Sequence, residues 1–326
     1  MRTGKKGRAK WLAIGALVVL ATIGAIFIVG CAGLTGPTGP AGADGVNAAA
    51  TCNDCHNDTT LVYSKSFQSA QTVHQTGTAW SYAGGRAGCT ACHSSEGFQE
   101  MVATGIGIED FEEATPNPSP QNCRTCHEIH TTYTKADFAL STTSPVDLIA
   151  FDATYDRGKG NLCATCHQPR RAGPEEGAGD YEITSTHWGP HHGPQSMVLL
   201  GIGGYGVADS QSVHYSMVTE GCPTCHMPEE SHLLAPTTAA CQSCHADLDT
   251  LDRNGVQTEI KALFEELGEL LEGKSLHDGH PNPGTYSEEV AGAAWNYMIV
   301  YEDASWGVHN PPWTKAILEE SIAALK

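Results

Sequence analysis

The chain predicts a mostly α and irregular fold with little regular secondary structure, ending in a helical C-terminal module. Three observations predict it. The phrase C-x-x-C-H occurs six times between Cys52 and His245. Over that stretch Gly, Pro, Thr and Ser fill the gaps, and neither a sustained 3.6-residue nor a two-residue apolar period appears. After residue 250 an apolar stripe at helical spacing sets in. A segment without apolar periodicity cannot bury enough side-chain surface to offset the entropy of ordering it. The body must therefore be organised around something other than its own side chains.

The six copies are Cys52-Asn53-Asp54-Cys55-His56, Cys89-Thr90-Ala91-Cys92-His93, Cys123-Arg124-Thr125-Cys126-His127, Cys163-Ala164-Thr165-Cys166-His167, Cys222-Pro223-Thr224-Cys225-His226 and Cys241-Gln242-Ser243-Cys244-His245. Two thiols three positions apart can add to the two vinyl groups on one edge of a porphyrin. The His that follows then lies beneath the ring and binds the iron as proximal ligand. This is the attachment signature of c-type haem. Zinc ribbons and thioredoxin-like dithiols also use C-x-x-C, but neither needs a His after the second Cys in every copy. The sequence thus predicts a multihaem cytochrome c with six covalently bound c-type haems (iron). The porphyrins supply the missing core, and twelve thioether bonds restrain the chain as disulfides restrain small secreted folds.

Residues 1–10 carry Arg2, Lys5, Lys6, Arg8 and Lys10 and no acid, and Trp11 to Val29 carries no charge. That is the pattern of an export signal with a positive n-region. Its end, Ile28-Val29-Gly30-Cys31, resembles a bacterial lipobox, which implies removal of residues 1–30 and lipidation of Cys31. The cysteine count agrees: of thirteen Cys, twelve lie in the motifs and Cys31 is left over. The alternative is an uncleaved anchor, since the apolar run is long enough to span a bilayer. Either way the rest of the chain is exported. Residues 31–50 read as a Gly-rich, collagen-like tether with Gly33, Gly36, Gly39, Gly42 and Gly45 every third position. A trimeric stalk is the competing reading. Residues 51–250 then form the hexahaem domain and 251–326 the helical module.

In that module Val256, Ile260, Leu263, Phe264, Leu267, Leu270 and Leu271 share one helical stripe. A second helix is predicted from Tyr286 to Tyr301, with Val290, Ala294, Tyr297 and Met298 on one face. The third opens at Asn310-Pro311-Pro312, a cap residue followed by Pro in the first turn. It runs to Lys326 through Ile317, Leu318 and Ile322.

Sixteen His, less six proximal ones, leave His74, His130, His187, His191, His192, His214, His232, His277, His280 and His309. Six sixth-position ligands are needed, so every iron can be bis-His with four residues over. His130 follows its own motif too closely to fold over the same porphyrin and is expected to serve a neighbour. His74, His214, His232 and His309 are further candidates, and one or two come from the turn holding His187, His191 and His192, with His191 and His192 preferred. His277 and His280 sit in a Gly/Pro loop and rank below these. Met competes for such positions, but Met101, Met197, Met217 and Met298 read as packing residues, and Met227 abuts a motif on its proximal side.

These motifs resemble those of the multihaem outer-surface c-type cytochromes of metal-reducing bacteria. The run His187-Trp188-Gly189-Pro190-His191-His192-Gly193-Pro194-Gln195 is similar to a segment recurring in that group. The tail Glu302-Asp303-Ala304-Ser305-Trp306-Gly307-Val308-His309-Asn310-Pro311 resembles the last segment of pentahaem cytochrome c nitrite reductases. In that segment the His is a distal ligand, which implies the same for His309. Those reductases carry one C-x-x-C-Lys motif with an open haem face; here all six motifs end in His.

The function expected is electron transfer by bis-His haems, with other redox proteins or extracellular acceptors such as metal oxides as partners. A reductase of nitrite, hydroxylamine or a sulfur oxyanion is the alternative, requiring one five-coordinate iron; self-assembly into a filament is a third reading. The net charge of -19, near -24 without residues 1–30, disfavours nucleic acid, because phosphate repels it. The expected location is the cell surface or outer membrane, with a lipid anchor.

Overall fold

The irregular body and the helical C-terminal end are both present in a computed structural model that describes residues 52–53, 55–57 and 61–326. The expected signal, the lipidated Cys31 and the tether lie outside the described residues. The longer helices are α1 (Leu61–Ser69), α2 (Ser95–Thr104), α3 (Val256–Leu271), α4 (Glu288–Asp303) and α5 (Pro311–Leu325). Apart from α2 and the helix Ala87–His93, the described chain between α1 and α3 consists of loops, helices of three to six residues and two- or three-residue strands. β1 (Val146–Asp147) pairs antiparallel with β2 (Thr154–Tyr155), and β4 (Leu276–His277) with β5 (His280–Pro281).

The third ladder ties the motif-bearing body to the C-terminal helices. β3 (Tyr181–Ile183) pairs antiparallel with β6 (Gly284–Tyr286), in the register Tyr181 to Tyr286. Tyr286 therefore belongs to a strand, and α4 starts two residues later than its sequence suggests, behind Ser287. The Tyr286 hydroxyl reinforces this by donating to the Asn282 carbonyl at 2.9 Å.

The largest apolar core lies under α3, α4 and α5 and runs across residue 250. Ile183, Trp188, Met197 and Val198 pack in it with Ile260, Leu267, Leu271, Trp295, Trp313 and Ile317. Residues 51–326 accordingly behave as one unit. The stripe of α3 buries Ile260, Leu267 and Leu271, as period 3.6 requires. α4 is different: Ala291 to Val300 are buried on all sides, because α3, α5 and the 197–205 segment surround it. At Gly292 a Cβ would lie 2.1 Å from the Tyr205 ring, so only Gly permits that approach.

Two polar side chains hold the segment against α4. Asn296 is fully buried; its Oδ1 accepts from Tyr205 N at 2.9 Å, and its Nδ2 donates to Tyr205 O and Ser321 Oγ, both at 2.9 Å. Trp295 Nε1 donates to Gly203 O at 2.8 Å. Asn310, expected to cap α5, points elsewhere: its Nδ2 donates to Ser210 O at 2.8 Å and Val198 O at 3.0 Å. Pro in the first turn then starts the helix without a side-chain cap. Two smaller clusters, around Phe98 and Met101 and around Tyr155 and Tyr215, pack Cys126, Cys166 and Cys222 of the motifs against them.

Candidate haem sites

Each C-x-x-C-H motif coils into one helical turn. The His backbone N–H donates to the carbonyl of the first Cys at 2.8 Å for His56 and 2.9 Å for His127, His167 and His245. Residues three and four apart then share a face, which sets both thiols along one edge with the imidazole beside them. Local caps start these turns: Asn122 accepts from Arg124 N while Thr125 Oγ1 accepts from Asn122 N, a reciprocal box ahead of the third motif. Ser94, directly after the second motif, caps α2 through Gly97 N at 2.9 Å.

All six proximal imidazoles face a second imidazole. Ring centroids are 5.9 Å apart for His56 and His130, and 6.0 Å for His74 and His167, His93 and His191, and His127 and His232. They are 6.3 Å apart for His214 and His245 and 6.2 Å for His226 and His309. Rings that stack directly come closer, as Phe264 and Tyr297 do at 4.1 Å. A metal–imidazole bond of about 2 Å on each face, plus about 1 Å from each nitrogen to its ring centre, separates two such rings by about 6 Å. Six pairs therefore stand at the spacing that one metal ion, and the porphyrin around it, would fill.

The ring nitrogens are arranged for that role. His127 Nδ1 donates to Phe138 O at 2.9 Å, His214 Nδ1 to Val308 O at 2.8 Å, His226 Nδ1 to Leu234 O at 3.2 Å and His232 Nδ1 to Glu230 O at 2.9 Å. His167 Nδ1 donates to Gln195 Oε1 at 2.9 Å. A carbonyl oxygen only accepts, so the proton sits on Nδ1 and the Nε2 lone pair is left for a metal. Burial lowers the pKa of His93, His214, His226 and His232, and brings His74 and His191 down to about 4, which keeps these rings neutral. Neutral imidazole is the ligating form.

Other features fit a large flat apolar group carrying carboxylates. Val73 and Val213, each directly before a paired His, are 81% and 71% exposed, and Met217 is 74% exposed. A porphyrin on the neighbouring imidazole would cover such surface. His130 and His191 have φ of 68° and 79°, a left-handed backbone that residues other than Gly hold only under constraint. Arg157 and Arg170 each bury an Nε with no hydrogen-bond partner, and propionates could take those donors. Arg157 lies 3.9 Å over the Tyr215 ring; Arg170 and Arg171 line a cavity with Glu109, His187 and His191.

Of the expected ligands, His74, His130, His191, His214, His232 and His309 each stand opposite a motif His, and His130 faces the first motif rather than the third it follows. His192 does not. Its Nδ1 bonds Glu302 Oε2 at 2.7 Å, which raises its pKa despite partial burial, and its ring lies beside that of His191. One residue of that turn, rather than two, meets a proximal ring, because the second is held by Glu302. His187 lines the Arg170 cavity, and exposed His277 lies 3.6 Å from Glu272. One local signal separates the two groups: Val73, Ile129, Val213 and Val308 precede four of the six paired distal histidines, and neither Val nor Ile precedes the other four.

Thiols of different motifs also meet. Cys92 lies beside Cys166, Cys163 lies beside Cys222, and Cys126 lies near both Cys163 and Cys166. Cys225 lies near Cys241 and Cys244.

No known family profile matches the chain, and no curated protein does. Its structure is similar to the crystal structure of the outer cell wall cytochrome OcwA, with a TM-score of 0.53 at 23% identity. The chain shares its fold with that cytochrome. The match covers 79% of this chain and 50% of that one, so the chain spans about half the length of OcwA. An undecahaem cytochrome from the S-layer of Carboxydothermus ferrireducens is also similar, with a TM-score of 0.48 at 19% identity over 78% of this chain and 40% of that one.

Proposed function

We propose that this chain is a hexahaem electron carrier of the cell surface, every haem held by one C-x-x-C-H motif and closed on its far face by a second imidazole. The six imidazole pairs at 5.9 to 6.3 Å carry this reading. When bound, c-type haem supplies a one-electron couple and a conjugated edge from which electrons hop. The twelve histidines would hold each iron from both sides, which would leave no face open to a small anion and favours a carrier over a reductase. The Nδ1 hydrogen bonds fix ring orientation and donor strength.

The thiol contacts support an order for the attachment sites. The fourth motif is central: it touches the second through Cys92 and Cys166, the third through Cys126, and the fifth through Cys163 and Cys222. The fifth touches the sixth through Cys225. The first joins beside the third, since His130 stands three residues after His127. The path reads one, three, four, five, six, with the second as a branch at the fourth.

Export through residues 1–30, acylation of Cys31 and acceptors such as metal oxides or other redox proteins complete the proposal. Quantifying haem as its pyridine complex should return six per chain, and EPR of the oxidised protein should show low-spin iron alone. His309→Ala should turn one haem high-spin. A native high-spin signal with turnover of nitrite or hydroxylamine would support a reductase instead.

A further inference from the structure

One of the twelve paired imidazoles rests on a carboxylate. His309 Nδ1 lies 2.6 Å from Asp303 Oδ1, and the Asp303 side chain is only 2% exposed. Among the described residues no other paired imidazole has a carboxylate within that reach; the partners found are the carbonyls and the amide named above. The Ser305 hydroxyl and, at 3.3 Å, its backbone N–H donate to Asp303 Oδ2. No Lys or Arg among the described residues pairs with Asp303, and the adjacent Glu302 is engaged by His192. The buried charge of Asp303 is therefore answered mainly by the imidazole.

We propose that Asp303 holds the site formed by His226 and His309 at the lowest reduction potential of the six, placing an uphill step between the fourth and sixth sites. This inference rests on the relay reading above. A carboxylate that accepts the Nδ1 proton gives the ring imidazolate character and makes it a stronger donor than a carbonyl-bound ring. A stronger axial donor and a nearby buried negative charge both favour the ferric over the ferrous state, and little solvent screens that charge. Carbonyl and amide partners exert the same pull without the charge. The position of the site gives the effect a function. It lies between the Cys163 and Cys241 motifs, so electrons reach the His245 end only across it. Exchange through that end then depends on a strongly reducing donor, while the first four sites equilibrate among themselves.

The test is a redox titration of the full haem-loaded protein, followed by EPR and visible spectra. Asp303→Asn should raise one midpoint, changing that site's reduced-to-oxidised ratio about tenfold at fixed potential, or about 59 mV for one electron. The other five should stay in place and the iron should stay low-spin. Ser305→Ala removes a donor competing for Asp303 and should move the same midpoint down. The signal that becomes high-spin in His309→Ala identifies the site. Six unmoved midpoints in low-spin Asp303→Asn would overturn the proposal. If that variant does not take up haem, an unmoved midpoint in Ser305→Ala overturns it equally. A wild-type preparation without haem, or with one high-spin centre, would instead sink the relay reading.

Discussion

Two adjacent histidines take opposite roles at the turn after Trp188. His191, at φ 79°, aims its ring at His93, whereas His192 turns to Glu302 at 2.7 Å and stands behind the pair. Removing each separately tells the roles apart. His191→Ala should leave one iron face open and produce one high-spin haem in EPR. His192→Ala should keep all six low-spin and lose only the Glu302 contact. A high-spin signal in the second variant and none in the first would reverse the assignment. The same scale explains why Val-His marks a ligand: a branched apolar side chain beside the ring can lie flat on a porphyrin, as exposed Val73 and Val213 could.

At the scale of elements, the C-terminal end of α4 is where several sites are held together. Gln195 Nε2 donates to the carbonyls of Asp303 at 3.1 Å and Glu302 at 3.4 Å, while its Oε1 accepts from His167 Nδ1 at 2.9 Å. Glu302 takes His192, Asp303 takes His309, and the Val308 carbonyl that follows takes His214. The turn between α4 and α5 needs Gly307 at φ 87°, where a Cβ would meet Ile260 at 2.8 Å. Packing of α4 on its neighbours thus determines how the rings of the fourth, fifth and sixth sites are aimed. Asn296 is the polar pin in that packing. Asn296→Ala would leave the half-buried Tyr205 N–H and C=O without their side-chain partner, at about 1–3 kcal/mol for each group that water does not reach. The urea midpoint of the haem-loaded protein should fall accordingly; an unchanged midpoint would mean that water replaces the side chain.

For the whole molecule, charge and the small polypeptide core matter most. With 37 acids against 18 basic residues, the surface should draw cations and repel anions. Electron exchange with a small cationic mediator should be faster than with an anionic one of similar potential. The gap should narrow as salt rises toward 0.15 M, where the screening length is about 8 Å. Stopped-flow rates at two ionic strengths check this; equal rates at low salt would mean that the exposed edges lie in locally neutral surface. Apolar packing is concentrated at α3 to α5, and among the described residues the motif-bearing body adds to that core its 183–207 stretch and two smaller clusters. On the proposed function, porphyrins would complete the core of that body.

Much of this was legible in the residue order, for a physical reason. Haem attachment is chemistry within five consecutive residues, one helical turn long, so six copies can be read without knowing where the chain goes next. α3 was legible in the same way, since its apolar stripe repeats within the helix itself, and the surplus of histidines predicted a second imidazole opposite each motif His. Which imidazole meets which could not be read. His74 crosses to His167, His127 to His232 and His226 to His309 through loops with no periodic pattern, and only the folded path sets those distances. The carboxylate behind His309 is likewise a tertiary fact, because its burial comes from α4 packing and not from the six positions that separate it from the ring.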